Sequence, residues 1–217
     1  SECGASRLLL ASRAAHMAAA PGPLRAAIEK VQLDVTQADE VSALLNREAG
    51  ITGVLHLAGM ARPGPWHELN AQDLREHLAA KAEGAEHLRA CIGPTVRLVL
   101  VSSISSAWGA GNLSAYASAN AVVDAMAGPG VNVVALGPIQ LSGGMADDGQ
   151  LAEFQTMGLG AMEPARALAA VGAALVADRA YTIVADVDWA RLGATLTARR
   201  PLPLLDDVFQ RADAAHK

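Results

Sequence analysis

Val96-Arg97-Leu98-Val99-Leu100-Val101-Ser102-Ser103 is the stretch that decides the fold. Apart from Arg97 it is an unbroken apolar run, and it stops on two hydroxyls. A strand with one wet face alternates apolar and polar residues. An unbroken run of this length suits a parallel strand covered by helices on both faces. The same pattern recurs along the chain. Apolar runs at 8–12, 31–34, 53–57, 131–136 and 181–186 read as further strands beside 96–102. Helical spacing between them predicts helices over 23–30, 38–47, 71–92, 114–127 and 163–176. Pro164 stands near the start of the last, where a missing N–H costs little. Strand alternating with helix gives an α/β fold built on a doubly wound parallel sheet.

The opening of the chain departs from that pattern. A nucleotide-binding sheet of the Rossmann-like kind begins with a strand, a Gly-rich turn and a helix. Here residues 1–4 read as the end of a helix, with Gly4 as its stop. None of the 20 glycines forms G-x-G-x-x-G after a strand. A sheet without that strand would carry two unpaired inner edges. The first strand and the Gly-rich loop are therefore expected on another segment. Residues 1–198 are expected to form an N-terminally incomplete catalytic subdomain. Residues 199–217, opening with Arg199-Arg200-Pro201-Leu202-Pro203, read as a C-terminal helix or linker.

Composition narrows the function classes. With 52% hydrophobic residues and 3% aromatics, the 217-residue chain must fill its core with Ala, Leu and Val. A net charge of −5 offers no electrostatic case for nucleic acid or an anionic membrane. No apolar run approaches the roughly 18 residues of a membrane span, and no signal peptide opens the chain. Cys3 and Cys91 lack metal spacing and read as reduced thiols in a cytoplasmic protein.

Three local patterns carry chemistry. In the helix over 71–92, Leu74, Leu78, Ala85 and Leu88 mark an apolar stripe, and Lys81 falls in its middle. Such a lysine either snorkels to water or serves a polar site. The strand ending in Ser102-Ser103 puts hydroxyls at the carboxyl end of the sheet, where ligands of α/β proteins gather; a helix cap would explain them as well. In Tyr116-Ala117-Ser118-Ala119-Asn120, Tyr116 and Asn120 share one helix face, which Asp124 extends. A core tyrosine with a satisfied hydroxyl is the ordinary alternative. Together they suit ketone reduction. A phenol of pKa about 10 is a poor acid near neutrality unless a cation favours its anion. Lys81 could be that cation, Ser103 the holder of the carbonyl oxygen and Asn120 a link in the proton path. Tyr116 would then give the proton as hydride arrives from a nicotinamide.

At these residues the sequence resembles the short-chain dehydrogenase/reductase superfamily, and more narrowly the ketoreductase domains of modular polyketide synthases. Ordinary members carry Tyr-x-x-x-Lys; this chain has Tyr116-x-x-x-Asn120 with Lys81 on the preceding helix, the exchange typical of the polyketide synthase domains. The similarity continues in His56-Leu57-Ala58-Gly59, Lys81-Ala82-Glu83-Gly84-Ala85, Ser102-Ser103, Gly143-Gly144-Met145-Ala146 and Val187-Asp188-Trp189-Ala190-Arg191-Leu192. The resemblance implies a catalytic group of Lys81, Ser103, Tyr116 and Asn120. It places the adenosine 2′-phosphate at Ser12-Arg13, which favours NADPH. It places adenine at Asp34-Val35, and the ribose and nicotinamide at Ala58-Gly59 and Gly137-Pro138. The implied partners are an acyl carrier protein bearing a phosphopantetheine-tethered β-ketoacyl chain and the other domains of the same synthase.

The family also carries stereochemical signatures. Ala61-Arg62-Pro63 stands where one class has Leu-Asp-Asp. Trp108 stands eight residues before Tyr116, as in the A type, which forms an L-hydroxyl. Leu113 is not the histidine that marks epimerised substrates. Residues 140–160, with Gly143-Gly144 as hinge and Met145 and Met157 as apolar fingers, look like the substrate lid. His16, His67, His77, His87 and His216 read as surface residues with no metal or triad pattern. The helix after Asn120 is short for the family, and Leu136 and Ile139 stand where tryptophans are common. The competing readings are an inactive scaffold domain of a megasynthase and a free-standing carbonyl reductase.

Overall fold

The computed structural model of the protein describes residues 5–14, 26–141, 146–198 and 201–215, excepting the side chains of 213–215. Strands β1 (Arg7–Ser12) and β2 (Ala27–Gln32) lead to helix α1 (Ala38–Arg47) and strand β3 (Gly53–His56). Then come α2 (Ala71–Leu78), a π-helical turn (Ala79–Glu83) and α3 (Gly84–Cys91), followed by β4 (Arg97–Ser103), α4 (Ser105–Trp108) and α5 (Ser114–Asp124). The rest is β5 (Val131–Leu136), α6 (Asp148–Thr156), β6 (Leu159–Gly160), α7 (Pro164–Val176), β7 (Tyr181–Val184), β8 (Asp186–Val187), α8 (Trp189–Thr197) and α9 (Asp206–Ala215).

The parallel sheet flanked by helices is the doubly wound fold, in two pieces. β3, β4, β5 and β7 form one parallel sheet in that order, and β1 pairs with β2 in another. Among the described residues nothing pairs β1 with β3, and Leu8, Leu10, Leu55 and Leu57 are exposed on those two strands and just beyond. The pieces are joined by α1 packing on α3, and by His87, whose Nδ1 donates to the Val35 carbonyl at 3.0 Å. β4 and β5 explain the apolar runs: Leu98, Leu100 and Val133 are fully buried, packed with Val123 of α5 and with Val41, Ala85 and Leu88 of α1 and α3. Each such leucine or valine contributes about 1.5–3 kcal/mol by leaving water. A second cluster gathers Ile104, Leu159 and Leu192 with Trp108 and Trp189.

Several sequence expectations need correction. The helix expected over 23–30 gives way to strand β2 from Ala27; residues 15–25 lie outside the described residues. Ala, Glu and Lys there favour a helix locally, but parallel pairing of Arg7–Ser12 with Ala27–Gln32 overrides that weak preference. The helix expected over 71–92 is broken in register by the π-turn, and α5 ends at Asp124 rather than 127. His77 is not a surface residue: it is 1% exposed. Its Nδ1 donates to the Asp73 carbonyl at 2.7 Å, leaving Nε2 to accept the Arg62 N–H at 3.2 Å, so both polar atoms of a buried ring are satisfied. His16 and His216 lie outside the described residues, as do Met145 and the Gly143-Gly144 hinge. The remainder of the stretch over 140–160 holds α6, started by a capping box between Asp147 and Gln150.

Candidate active site

Parallel strands β3, β4 and β5 all end on the same edge of the sheet, with His56 opposite Leu100 and Ser103 opposite Leu136 in register. Beyond β3 the chain runs through Leu57 and Ala58 to Gly59. A Cβ built on Gly59 would stand 3.2 Å from Lys81 Cδ and 3.4 Å from its Nζ, so the lysine stem lies directly against this glycine. Lys81 itself is only 6% exposed, which corrects the picture of a residue snorkelling freely to water. Burial lowers its pKa from 10.5 to about 8, against the opposing pull of the Asp124 charge. No hydrogen bond or ion pair among the described residues engages the Lys81 ammonium.

Helix α5 packs on the π-turn that carries Lys81, and on β4. Its start carries Tyr116, half-buried, with no hydrogen bond to its hydroxyl among the described residues. One turn on, Asn120 is fully buried; its amide donates to the Tyr116 carbonyl at 2.8 Å while its Oδ1 has no partner. An unpaired buried acceptor costs about 1–3 kcal/mol. Ser102 donates to the Asn120 carbonyl at 3.4 Å, tying strand tip to helix. Ser103 Oγ accepts from the Ser105 N–H at 3.2 Å and the Ser105 hydroxyl at 3.0 Å, so its own hydrogen stays available.

Asp124 closes the back of this group. Ser106 Oγ sits between Asp124 Oδ2 at 2.5 Å and the Ser103 carbonyl at 2.6 Å, and the Tyr181 hydroxyl donates to the same carboxylate oxygen at 3.2 Å. Burial, reinforced by the Asp124 charge, raises the Tyr181 pKa. The sequence put Asp124 on the Tyr116 face but gave no sign of Ser106 or Tyr181, which reach it from other elements.

The sequence model of the KR domain family matches residues 1–132. The chain belongs to the KR domain family. The Pikromycin polyketide synthase component PikAIII of Streptomyces venezuelae is 34% identical over 229 residues, 97% of this chain and 15% of that protein. Erythronolide synthase EryA3 of Saccharopolyspora erythraea is 34% identical over 230 residues, 98% of this chain and 7% of its own length. Among solved structures, A-type ketoreductases from a modular polyketide synthase superpose with a TM-score of 0.87 at 29% identity, covering 99% of this chain and 49% of theirs. A C2-type ketoreductase reaches 0.79 at 32% identity, covering 86% and 43%. The chain thus spans a small part of the curated relatives and about half of the solved ketoreductases.

The KR domain's other expected site residues are more dispersed. Ser12 ends β1 on the smaller sheet and Arg13 follows it. Asp34 Oδ1 accepts from the Thr36 N–H and hydroxyl at 3.0 and 2.8 Å, which holds its carboxyl below the usual range, with Arg13 adding a smaller pull. Val35 packs against the face of Gly84. Gly137 follows β5, and a Cβ there would stand 2.9 Å from the Ala185 Cβ; Pro138 accepts from the Met162 N–H at 2.9 Å. Trp108 meets Trp189 edge-on with ring centroids 6.1 Å apart, and Leu113 precedes the first turn of α5. A hollow of about 140 Å³ lined by Arg62, Asp73, His77 and Ser114 adjoins the start of α5, but none of the four catalytic candidates lines it.

Proposed function

We propose that this KR domain reduces a β-ketoacyl chain, held on an acyl carrier protein, to the β-hydroxyacyl form with NADPH. The observation that carries the proposal is the buried Lys81 ammonium. It rests against Gly59 and is served by no hydrogen bond among the described residues, in the turn that packs on the Tyr116 helix. A buried cation is expensive to hold and is retained where it is used. The residues present fit the cofactor: Arg13, which acts on the Asp34 carboxylate only at a distance, suits a 2′-phosphate, and Gly59 gives close approach at the carboxyl edge of the sheet.

When bound, NADPH supplies the hydride taken by the carbonyl carbon. Tyr116 gives its phenolic proton to the carbonyl oxygen, and Ser103 donates its free hydroxyl hydrogen to that same oxygen. Lys81 stabilises the phenolate that remains. The unpaired Asn120 Oδ1 accepts a hydrogen bond on the path that returns a proton to Tyr116. Trp108, braced on Trp189, supports the A-type reading, in which the product hydroxyl is L-configured.

Tyr116→Phe tests the assignment. With a short β-ketoacyl thioester, the variant is expected to lose at least about 100-fold in kcat while melting at the wild-type temperature. Chiral separation of the wild-type product reads the configuration. Wild-type turnover in the phenylalanine variant refutes Tyr116 as the acid.

A further inference from the structure

We propose that His56 is a positioning residue for Lys81, holding the π-turn against the end of β3 by a hydrogen bond to the Lys81 carbonyl and so keeping the ammonium over Gly59. The inference rests on the reductase reading of the site for its functional meaning, although its geometry does not. His56 ends β3 and is 3% exposed. Its Nε2 lies 3.0 Å from the Lys81 carbonyl oxygen. A carbonyl only accepts, so Nε2 carries the hydrogen.

The helix it grips is irregular at that point. A five-residue π-turn separates α2 from α3, with the Gly84 N–H bonded to the Ala79 carbonyl. Such widened turns are rare and concentrate at functional sites. A side chain bonding a helical carbonyl competes with the i→i−4 ladder and offsets part of the cost of widening it.

The same four residues of chain hold Lys81 twice. His56 takes its carbonyl, and Gly59, three residues on, receives its stem. The helix also sits close on the ring: a Cβ at Gly84 would stand 3.4 Å from His56 Cε1 and 2.8 Å from Val35 Cγ1. Burial, with a smaller contribution from the Lys81 charge, lowers the His56 pKa to about 4, so the ring is neutral at pH 7. A neutral donor can grip the backbone without adding a second positive charge beside the ammonium. Asp124, on α5, is the charged group that acts on Lys81, raising its proton affinity against burial.

Three variants separate positioning from simple filling of the core. His56→Gln can return an amide N–H close to the Nε2 position. His56→Asn is shorter and cannot reach it, and His56→Leu removes the donor. Two readouts are taken on the protein labelled with 13C-lysine: the NMR titration of Lys81, and kcat and KM for NADPH with a short β-ketoacyl thioester. The glutamine variant is expected to keep the wild-type titration and kcat within about threefold. In the leucine and asparagine variants the released ammonium binds its proton about tenfold more tightly, and kcat falls about tenfold or more with KM little changed. Should the leucine variant fail to melt cooperatively, the glutamine and asparagine pair decides. An unchanged Lys81 titration in the asparagine and leucine variants overturns the proposal, as does a folded glutamine variant that behaves like asparagine. If the wild-type protein reduces no ketone, the reductase reading falls, while the Lys81 titration still decides the role of His56.

Discussion

Replacing Lys81 with methionine is expected to make the protein more stable and less active at the same time. Lys81 is 6% exposed, and its pKa lies at about 8 against 10.5 in an unfolded chain. At 1.36 kcal/mol for each tenfold in proton affinity, that gap costs about 3 kcal/mol at neutral pH. The sign follows from linkage. Between pH 8 and 10.5 the unfolded chain holds more protons than the folded one, so wild-type stability rises with pH across that window. Below pH 8 both states are protonated and the whole cost is present. Methionine fills a similar volume without the charge, and the attraction to Asp124 is already contained in the net pKa of about 8. A net gain of about 2–3 kcal/mol at pH 7 corresponds to a melting temperature about 5–10 °C higher. Urea melts at pH 7 and again near pH 10.5 check this, and the advantage over wild type is expected to vanish at the higher pH. Turnover of a β-ketoacyl thioester is expected to drop about 100-fold or more. A methionine variant less stable than wild type at pH 7 refutes the reasoning, because Lys81 would then be contributing stability rather than consuming it.

Other perturbations follow from the same geometry. His56 is held neutral with a pKa of about 4 against 6.5 unfolded, so its contribution is intact above pH 6.5. That contribution is lost as pH falls toward 4, by about 3 kcal/mol relative to His56→Gln in parallel denaturation series. Asp124→Asn removes the charge that props up the Lys81 pKa; the high-pH limb of kcat is expected to move to lower pH, and an unmoved limb would exclude Asp124 as the source. Gly158 has φ +96, and a Cβ there would lie 2.7 Å from the Leu192 nitrogen and 2.9 Å from the Asp188 carbonyl. Gly158→Ala is therefore expected to cost at least about 2 kcal/mol in a thermal melt.

The sheet was legible because burial on both faces leaves no choice of residue: β5 covers the expected 131–136, and β4 lies within one residue of 96–102. The small outer strand β2 was legible only at its end, where the strand expected over 31–34 overlaps Ala27–Gln32; the rest reads as helix because its stability comes from pairing with β1 rather than from its own residues. The π-turn left no trace either. One wide turn shifts which residues share a face without changing composition, so a regular stripe through Lys81 was drawn across it. Spacing could place Tyr116, Asn120 and Asp124 on one face of α5. It could not reveal that Ser106 and Tyr181 meet Asp124, because those contacts cross between elements distant in sequence. The burial of His77 is hidden from the sequence for a similar reason: its acceptor atom is satisfied by the Arg62 backbone, fifteen residues away.

The division of the sheet has a mechanical consequence. Arg13, just past β1, and Lys81, beside the β3 end, belong to separately hydrogen-bonded pieces, coupled through α1 on α3 and the Val35 loop seated on Gly84. A ligand long enough to touch both pieces acts as a rivet between them. Its binding free energy then appears partly as slower amide exchange across β1 and β2.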